Sequence, residues 1–217
     1  MVRGGFMTTH SIFQTQIYKV KIDPSSYDKQ SIIDTCMKNY EEKPYHNLWD
    51  DVSDLHHYHC DFANAPDMRS LGKTYSKVIN DYMASIKGKF NYRWKIINLA
   101  VNSKYMKLHD HYYRRKGWQG MFGSTHYISY DKEYHRPTKF ENPLVFAQYR
   151  HNTNDVNNLL DQDDYNNSAY WPDTGLDVEE DDMIIFPSYL KHVVENGYKP
   201  GSKPRIVSVT NIDWKIN

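Results

Sequence analysis

Cysteine is nearly absent from this 217-residue chain: Cys36 and Cys60 are the only two. That is too few for a disulfide framework or a thiolate zinc site, and it points to a reducing compartment. Long apolar runs are missing as well. None approaches the roughly 20 residues of a membrane helix, and the start of the chain lacks the apolar stretch of a secretion signal. A soluble, cytoplasmic protein with no membrane partner is therefore expected. Net charge is also absent, since Lys plus Arg and Asp plus Glu stand at 27 each. No global field advertises nucleic acid, which is not expected as a partner. There is no internal repeat and no low-complexity tract. One domain over residues 1–217 is the simplest organisation.

The chain does have an abundance of tyrosine, 19 residues. With so few aliphatics, this suits a β-rich domain with aromatic-lined pockets better than a helical bundle. Charge is segregated although it balances. Residues 101–150 carry nine Lys/Arg against four Asp/Glu, whereas 151–182 carry ten Asp/Glu and neither Lys nor Arg. Either two solvated faces or a small-anion site could follow from this. Two helices are expected in the first 90 residues. One follows Pro24 and carries Ile32, Cys36 and Tyr40 at i, i+4 spacing. The other carries Met68, Leu71, Tyr75, Val78, Ile79, Tyr82, Met83 and Ile86 on one stripe, with Gly88 as its stop. From residue 91 onward short strands bounded by Gly, Pro, Asn and Asp take over, at 92–101, 104–112, 124–131 and 143–149; a long polar loop over 151–177 follows, then two last strands at 181–194 and 205–214. The expected fold is α+β, a jelly-roll or cupin-like barrel (a double-stranded β-helix) over 91–217, buttressed by helices within 1–90.

Four stretches carry candidate chemistry. "HHYHC" at 56–60 offers His56, His57, His59 and Cys60, but no second cluster stands at zinc-ligand spacing, so packing is its expected role. In "KLHDHYY" (107–113), strand alternation points His109 and His111 to one face and Asp110 to the other. By itself that pair is more often the mark of a wet sheet face. "MIIFPSYLKHVVEN" (183–196) places His192 among apolar neighbours, where a buried imidazole needs a partner. In "KPRIVSVTNIDW" (203–214), Arg205, Val207, Val209 and Asn211 share a face, and an inward guanidinium has a fork suited to a carboxylate.

Taken in order, these parts resemble the 2-oxoglutarate- and Fe(II)-dependent oxygenases, and most of all a branch common in marine phage and bacterial genomes. That branch carries H-x-H on an early strand, then F-P-S-x-x-x-H-x-V-x-x-N, then a closing R-I-S-I-S-F-N. Here the matches are His109 and His111, then Phe186-Pro187-Ser188, His192 and Val194, then Arg205, Ile206 and Asn211; Asn196 falls one place early. The opening "IFQTQIYKVKI" is similar to the family's F-x-T-x-I strand. There are departures. Val207 stands where the family often has Ser, and the commoner triad is H-x-D with a distal His.

The resemblance implies a dioxygenase that uses Fe(II), 2-oxoglutarate and O₂ to hydroxylate an unidentified prime substrate, releasing succinate and CO₂. Three facial ligands would leave three positions for these molecules. The implied ligands are His109, His111 and His192. The implied cosubstrate contacts are Arg205, to the far carboxylate, with Asn211 and Tyr105. If the chain is viral, the compartment is the host cytoplasm. Asp110 competes with His111, because a carboxylate would lower the charge of the site. It would need a bulge after His109 to turn inward, so alternation favours His111. Two alternatives stand beside this reading. One is a cupin-type dioxygenase with three His ligands and no 2-oxoglutarate, in which Arg205 would have nothing to hold. The other is a metal-free β-sandwich that serves as a binding or virion protein.

Overall fold

Apolar residues at helical spacing early in the chain and at strand spacing later should give helices laid on sheets. A computed structural model describes residues 15–42, 55–57, 66–102, 106–143, 173–195 and 204–215, with backbone alone at 55–57. The strands are β1 (Tyr18–Lys21), β2 (Leu55–His57), β3 (Tyr92–Asn102), β4 (Met106–His109), β5 (Arg114–Arg115), β6 (Trp118–Ser129), β7 (Thr138–Glu141), β8 (Asp173–Gly175), β9 (Asp182–Pro187), β10 (His192–Val194) and β11 (Arg205–Lys215). The helices are α1 (Lys29–Glu42) and α2 (Arg69–Ser85).

Both helices form for local reasons. Asp23 caps the 3₁₀ turn Pro24–Ser26 ahead of α1 by accepting from the Ser25 amide at 2.9 Å. In α2, Leu71, Tyr75, Ile79 and Met83 recur every four residues and are buried, so the helix has a single apolar stripe. It ends at Ser85, short of Gly88, because Ile86 turns extended and its amide returns to the Met83 carbonyl. No helix of the described residues is long and apolar enough to cross a membrane.

The strands build two antiparallel sheets. The larger has the order β1-β9-β6-β11-β3-β2, with β5 pairing β6; the smaller has the order β4-β10-β7-β8. Neither sheet closes on itself among the described residues. The helices cover one face of the large sheet and the small sheet faces the other. β9 makes the layering plain: Met183 and Ile185 join the core under the helices, while Ile184 and Phe186 join the core between the sheets. A strand buried on both faces needs apolar residues at every position, which is why "MIIF" does not alternate. β11 behaves alike, with Ile206 and Ile212 towards the helices and Val207 towards the small sheet.

Several segments differ from expectation. β7 lies where a loop was expected. The single strand expected across 181–194 is two strands in different sheets, β9 and β10, with Ser188–Lys191 between them. The strand expected at 143–149, the opening residues to 14, His59, Cys60, Tyr105 and most of the loop over 151–177 lie outside the described residues.

Candidate metal centre

β10 lies between β4 and β7, and its first residue, His192, pairs directly with His109. The register then slips: Val194 pairs with Met106, so three residues of β4 oppose two of β10. This bulge before His109 lets both Met106 and His109 face the space between the sheets, which three-residue spacing on a regular strand forbids. β4 ends at His109, and His111 is held by another device. Its backbone amide donates to the Ser188 carbonyl at 2.8 Å. Ser188 is itself buried, its amide donating to the Met121 carbonyl at 2.9 Å and its hydroxyl to the Gly120 carbonyl at 2.6 Å. Asp110 is exposed and accepts from the Tyr112 amide at 3.1 Å.

The three imidazoles converge. Ring centroids lie 4.1 Å apart for His109 and His192, 5.1 Å for His111 and His192, and 5.3 Å for His109 and His111. One candidate ligand atom from each lies within 4.8 Å of the other two. Each Nδ1 is engaged by an oxygen: the Lys107 carbonyl at 2.9 Å from His109, the Leu190 carbonyl at 3.0 Å from His192, and Asn211 Oδ1 at 2.8 Å from His111. A carbonyl oxygen only accepts, so Nδ1 carries the proton and the ligating lone pair falls to Nε2. Such outer hydrogen bonds fix tautomer and ring orientation in metal sites.

Electrostatics keep two of the rings neutral. Burial, followed by the charges of His109 and His111, holds the His192 pKa well below the ordinary histidine value. Burial also lowers that of His111, against an opposing pull from Asn211 and Asp110. Imidazoles kept neutral in this way are ready to bind a metal. With His109, the His111 and His192 rings form a three-imidazole donor set suited to a divalent first-row transition ion such as iron, cobalt, nickel or zinc. Phe186 walls the cluster, with its ring 4.9 Å from that of His192 and 5.9 Å from that of His111.

Arg205 begins β11 and is almost completely buried. Its Nη1 donates to the Arg136 carbonyl at 3.1 Å, and its guanidinium carbon lies 5.9 Å over the Tyr127 ring. Tyr127 is fixed in turn, donating to Thr138 Oγ1 at 2.9 Å and accepting from the Thr138 amide at 3.1 Å. Burial lowers the Arg205 pKa, and its charge is among the influences on His192. Arg205 and Asn211 thus share a face of β11, with Asn211 against His111 and Arg205 among tyrosines.

Some residues of the site escaped sequence reasoning. Gly123 on β6 is the clearest, since a Cβ there would come within 2.8 Å of the Phe186 ring and 3.1 Å of His111 Nδ1. A glycine inside a long strand signals such close approach. A second is Asp213, buried beside the cluster, which accepts from Tyr113 and from Arg93 Nε at 3.1 Å. Burial and then Asp213 push the Tyr113 hydroxyl up to about 12. The hydroxyl is therefore a donor at any ordinary pH.

No family model and no curated protein matches this chain. Solved structures do. A prolyl-4-hydroxylase of Pseudomonas putida superposes with a TM-score of 0.54 at 8% identity, covering 94% of each chain. A viral collagen prolyl hydroxylase of Paramecium bursaria Chlorella virus-1 superposes at 0.50 and 10% identity over 96% of each. The non-haem α-ketoglutarate-dependent carbocyclase SnoK of nogalamycin biosynthesis gives 0.57 at 11% identity, over 93% of this chain and 80% of its own. At such identities the likeness concerns the fold alone, antiparallel sheets with few helices arranged as in these oxygenases.

Proposed function

We propose that this protein is a non-haem Fe(II)- and 2-oxoglutarate-dependent dioxygenase that hydroxylates a prime substrate, with O₂ consumed and succinate and CO₂ released. The observation that carries this reading is the convergence of His109, His111 and His192, each with its Nδ1 engaged by an oxygen, in a fold otherwise found in such oxygenases. His109, His111 and His192 would hold the metal through Nε2 and leave the remaining positions for cosubstrate and O₂. A bound ferrous ion with 2-oxoglutarate would supply the oxidising chemistry, and the chain would supply placement. Lys107, Leu190 and Asn211 keep the three rings from rotating. Phe186 and Phe140 exclude water from the His192 side. Arg205 would pair with the far carboxylate of 2-oxoglutarate, a contact suited to a planar fork.

An all-imidazole donor set also suits a cupin-type dioxygenase that uses no 2-oxoglutarate. Arg205 favours the first reading, because its planar fork suits a carboxylate and it shares a face of β11 with Asn211, the partner of His111. The deciding experiment is anaerobic loading with Fe(II), followed by calorimetric titration with 2-oxoglutarate and measurement of succinate after admitting O₂. Metal-dependent 2-oxoglutarate binding with slow, uncoupled succinate release supports the proposal. Iron binding with no response to 2-oxoglutarate transfers support to the cupin reading, and no iron binding removes both.

A further inference from the structure

The face of the large sheet that carries the His cluster continues beyond it. Asn211, the partner of His111, lies opposite Lys95 on β3; Asp213 lies opposite Arg93; Lys215 lies opposite Trp118; and Trp118 lies opposite Arg115. Directly opposed residues project from the same face of a sheet. Contacts agree, since Arg93 bonds Asp213 and its guanidinium lies 4.3 Å over the Trp118 ring. Lys95, Arg93, Lys215 and Arg115 are all exposed. Asp213 is the one acidic side chain these pairings place among them, and it is committed to Arg93 and Tyr113. Lys95, Lys215 and Arg115 have no ion-pair partner among the described residues. The turn that presents Arg115 is tight, with Lys116 and Gly117 at φ of 50° and 74°, values that match a two-residue hairpin.

We propose that this basic shelf binds an acidic stretch of polypeptide and thereby selects the prime substrate. The substrate role rests on the oxygenase reading above, whereas the binding itself does not. Length is the first argument. The four residue steps from Asn211 to Lys215 extend the shelf about 13 Å past the metal-bearing end, further than a small molecule held at the metal can reach. Chemistry is the second. Single-stranded nucleic acid is gripped by aromatic platforms as much as by cations, and here the Trp118 ring is already covered by Arg93. Carboxylates need only the cations, and the Arg115 fork suits them.

The test uses the full chain and three fluorescein-labelled probes: an alternating Glu-Ala dodecapeptide, its Lys-Ala counterpart and a short oligothymidine. Anisotropy at low ionic strength should show binding of the Glu-Ala peptide alone. The combined variant Lys95→Glu, Arg115→Glu, Lys215→Glu should lose at least about tenfold in affinity, as should the wild type at high salt. Reversing Lys73, Lys77 and Lys87, exposed cations elsewhere on the molecule, changes net charge equally and should cost far less. If the combined variant melts early, each single reversal should still weaken binding in part. Undiminished binding in the shelf variants overturns the proposal, as does failure of the peptide to bind. Oligothymidine binding that is tighter and lost in the same variants overturns it in favour of nucleic acid. Calorimetry with Ni(II) and 2-oxoglutarate on the same protein separates the two readings. Metal and cosubstrate binding without the peptide leaves the oxygenase and removes the shelf, and the reverse result does the opposite.

Discussion

Asn211 Oδ1 lies 2.8 Å from His111 Nδ1, joining the last strand to a loop residue 100 positions earlier. His111 is the one member of the triad whose Nδ1 bonds a side chain and not a nearby carbonyl. Its orientation therefore depends on a single replaceable group. Asn211→Ala should weaken divalent metal binding by roughly 10–100-fold while the circular dichroism spectrum stays that of the wild type. Titration with Co(II) or Ni(II) measures this directly, and an unchanged affinity means that backbone contacts alone hold His111.

Asp110 offers the complementary case. It is exposed and turned towards the Tyr112 amide, so Asp110→Ala should keep its metal affinity within about twofold, the scatter expected of surface changes. His111→Ala should lose most of it. Loss of metal in the Asp110 variant alone would falsify the three-imidazole assignment.

Gly123 tests packing at the same place. An added methyl must displace the Phe186 ring, 2.8 Å away, and also presses on the His111 imidazole at 3.1 Å. Overpacking of this kind costs about 1–3 kcal/mol. Gly123→Ala should lower the urea midpoint by a corresponding amount and weaken metal binding as well. A change in stability without any change in metal affinity would mean that Phe186 yields and His111 does not.

These residues also mark how far the sequence could be read. The helices and the central strands were legible, because four-residue spacing in α2 and the apolar density of β9 and β11 are local signals. The convergence of His109, His111 and His192 was legible through family resemblance and not through periodicity. The alternation argument for His109 and His111 reached the observed placement by a different route. β4 stops at His109, a bulge precedes it, and a hydrogen bond to Ser188 sets His111. Neither the bulge nor the Ser188 bond has a local signature. Both depend on how strands distant in sequence come into register. The split of β9 from β10 escaped for the same reason, because a change of sheet does not alter the hydrophobic pattern.

Arg205 should matter to cosubstrate and little to metal. Truncating one partner of a buried charge pair costs about 2–5 kcal/mol, so Arg205→Ala should weaken 2-oxoglutarate binding at least about tenfold. Lys at this position should rescue only in part, because an ammonium cannot form the two parallel bonds of a guanidinium. Calorimetry on Ni(II)-loaded protein reads both effects. Equal affinities across the series would place the cosubstrate carboxylate elsewhere.

His126 predicts an acid limb to stability that does not involve the metal centre. It is completely buried on the helix side of β6, with Nδ1 2.7 Å from the Tyr75 hydroxyl and the Tyr27 and Tyr75 rings packed edge-on at 5.6 Å. Its Nε2 has no hydrogen-bond partner among the described residues, so none of them compensates a second proton. Burial, aided by the Lys29 charge, pushes its pKa down to about 3. The unfolded chain, with an ordinary histidine value near 6.5, binds this proton first as pH falls. The contribution is therefore complete above pH 6.5 and is lost progressively towards pH 3, by roughly 1.4 kcal/mol per pH unit. His126→Phe removes the titration but leaves the Tyr75 hydroxyl unbonded, at about 1–3 kcal/mol. The variant should be less stable at neutral pH and should lose stability more slowly between pH 6 and pH 4, by one proton's worth of slope. Urea unfolding at several pH values measures that slope. Parallel curves for wild type and variant would mean that His126 carries its proton in the folded state, in spite of its burial.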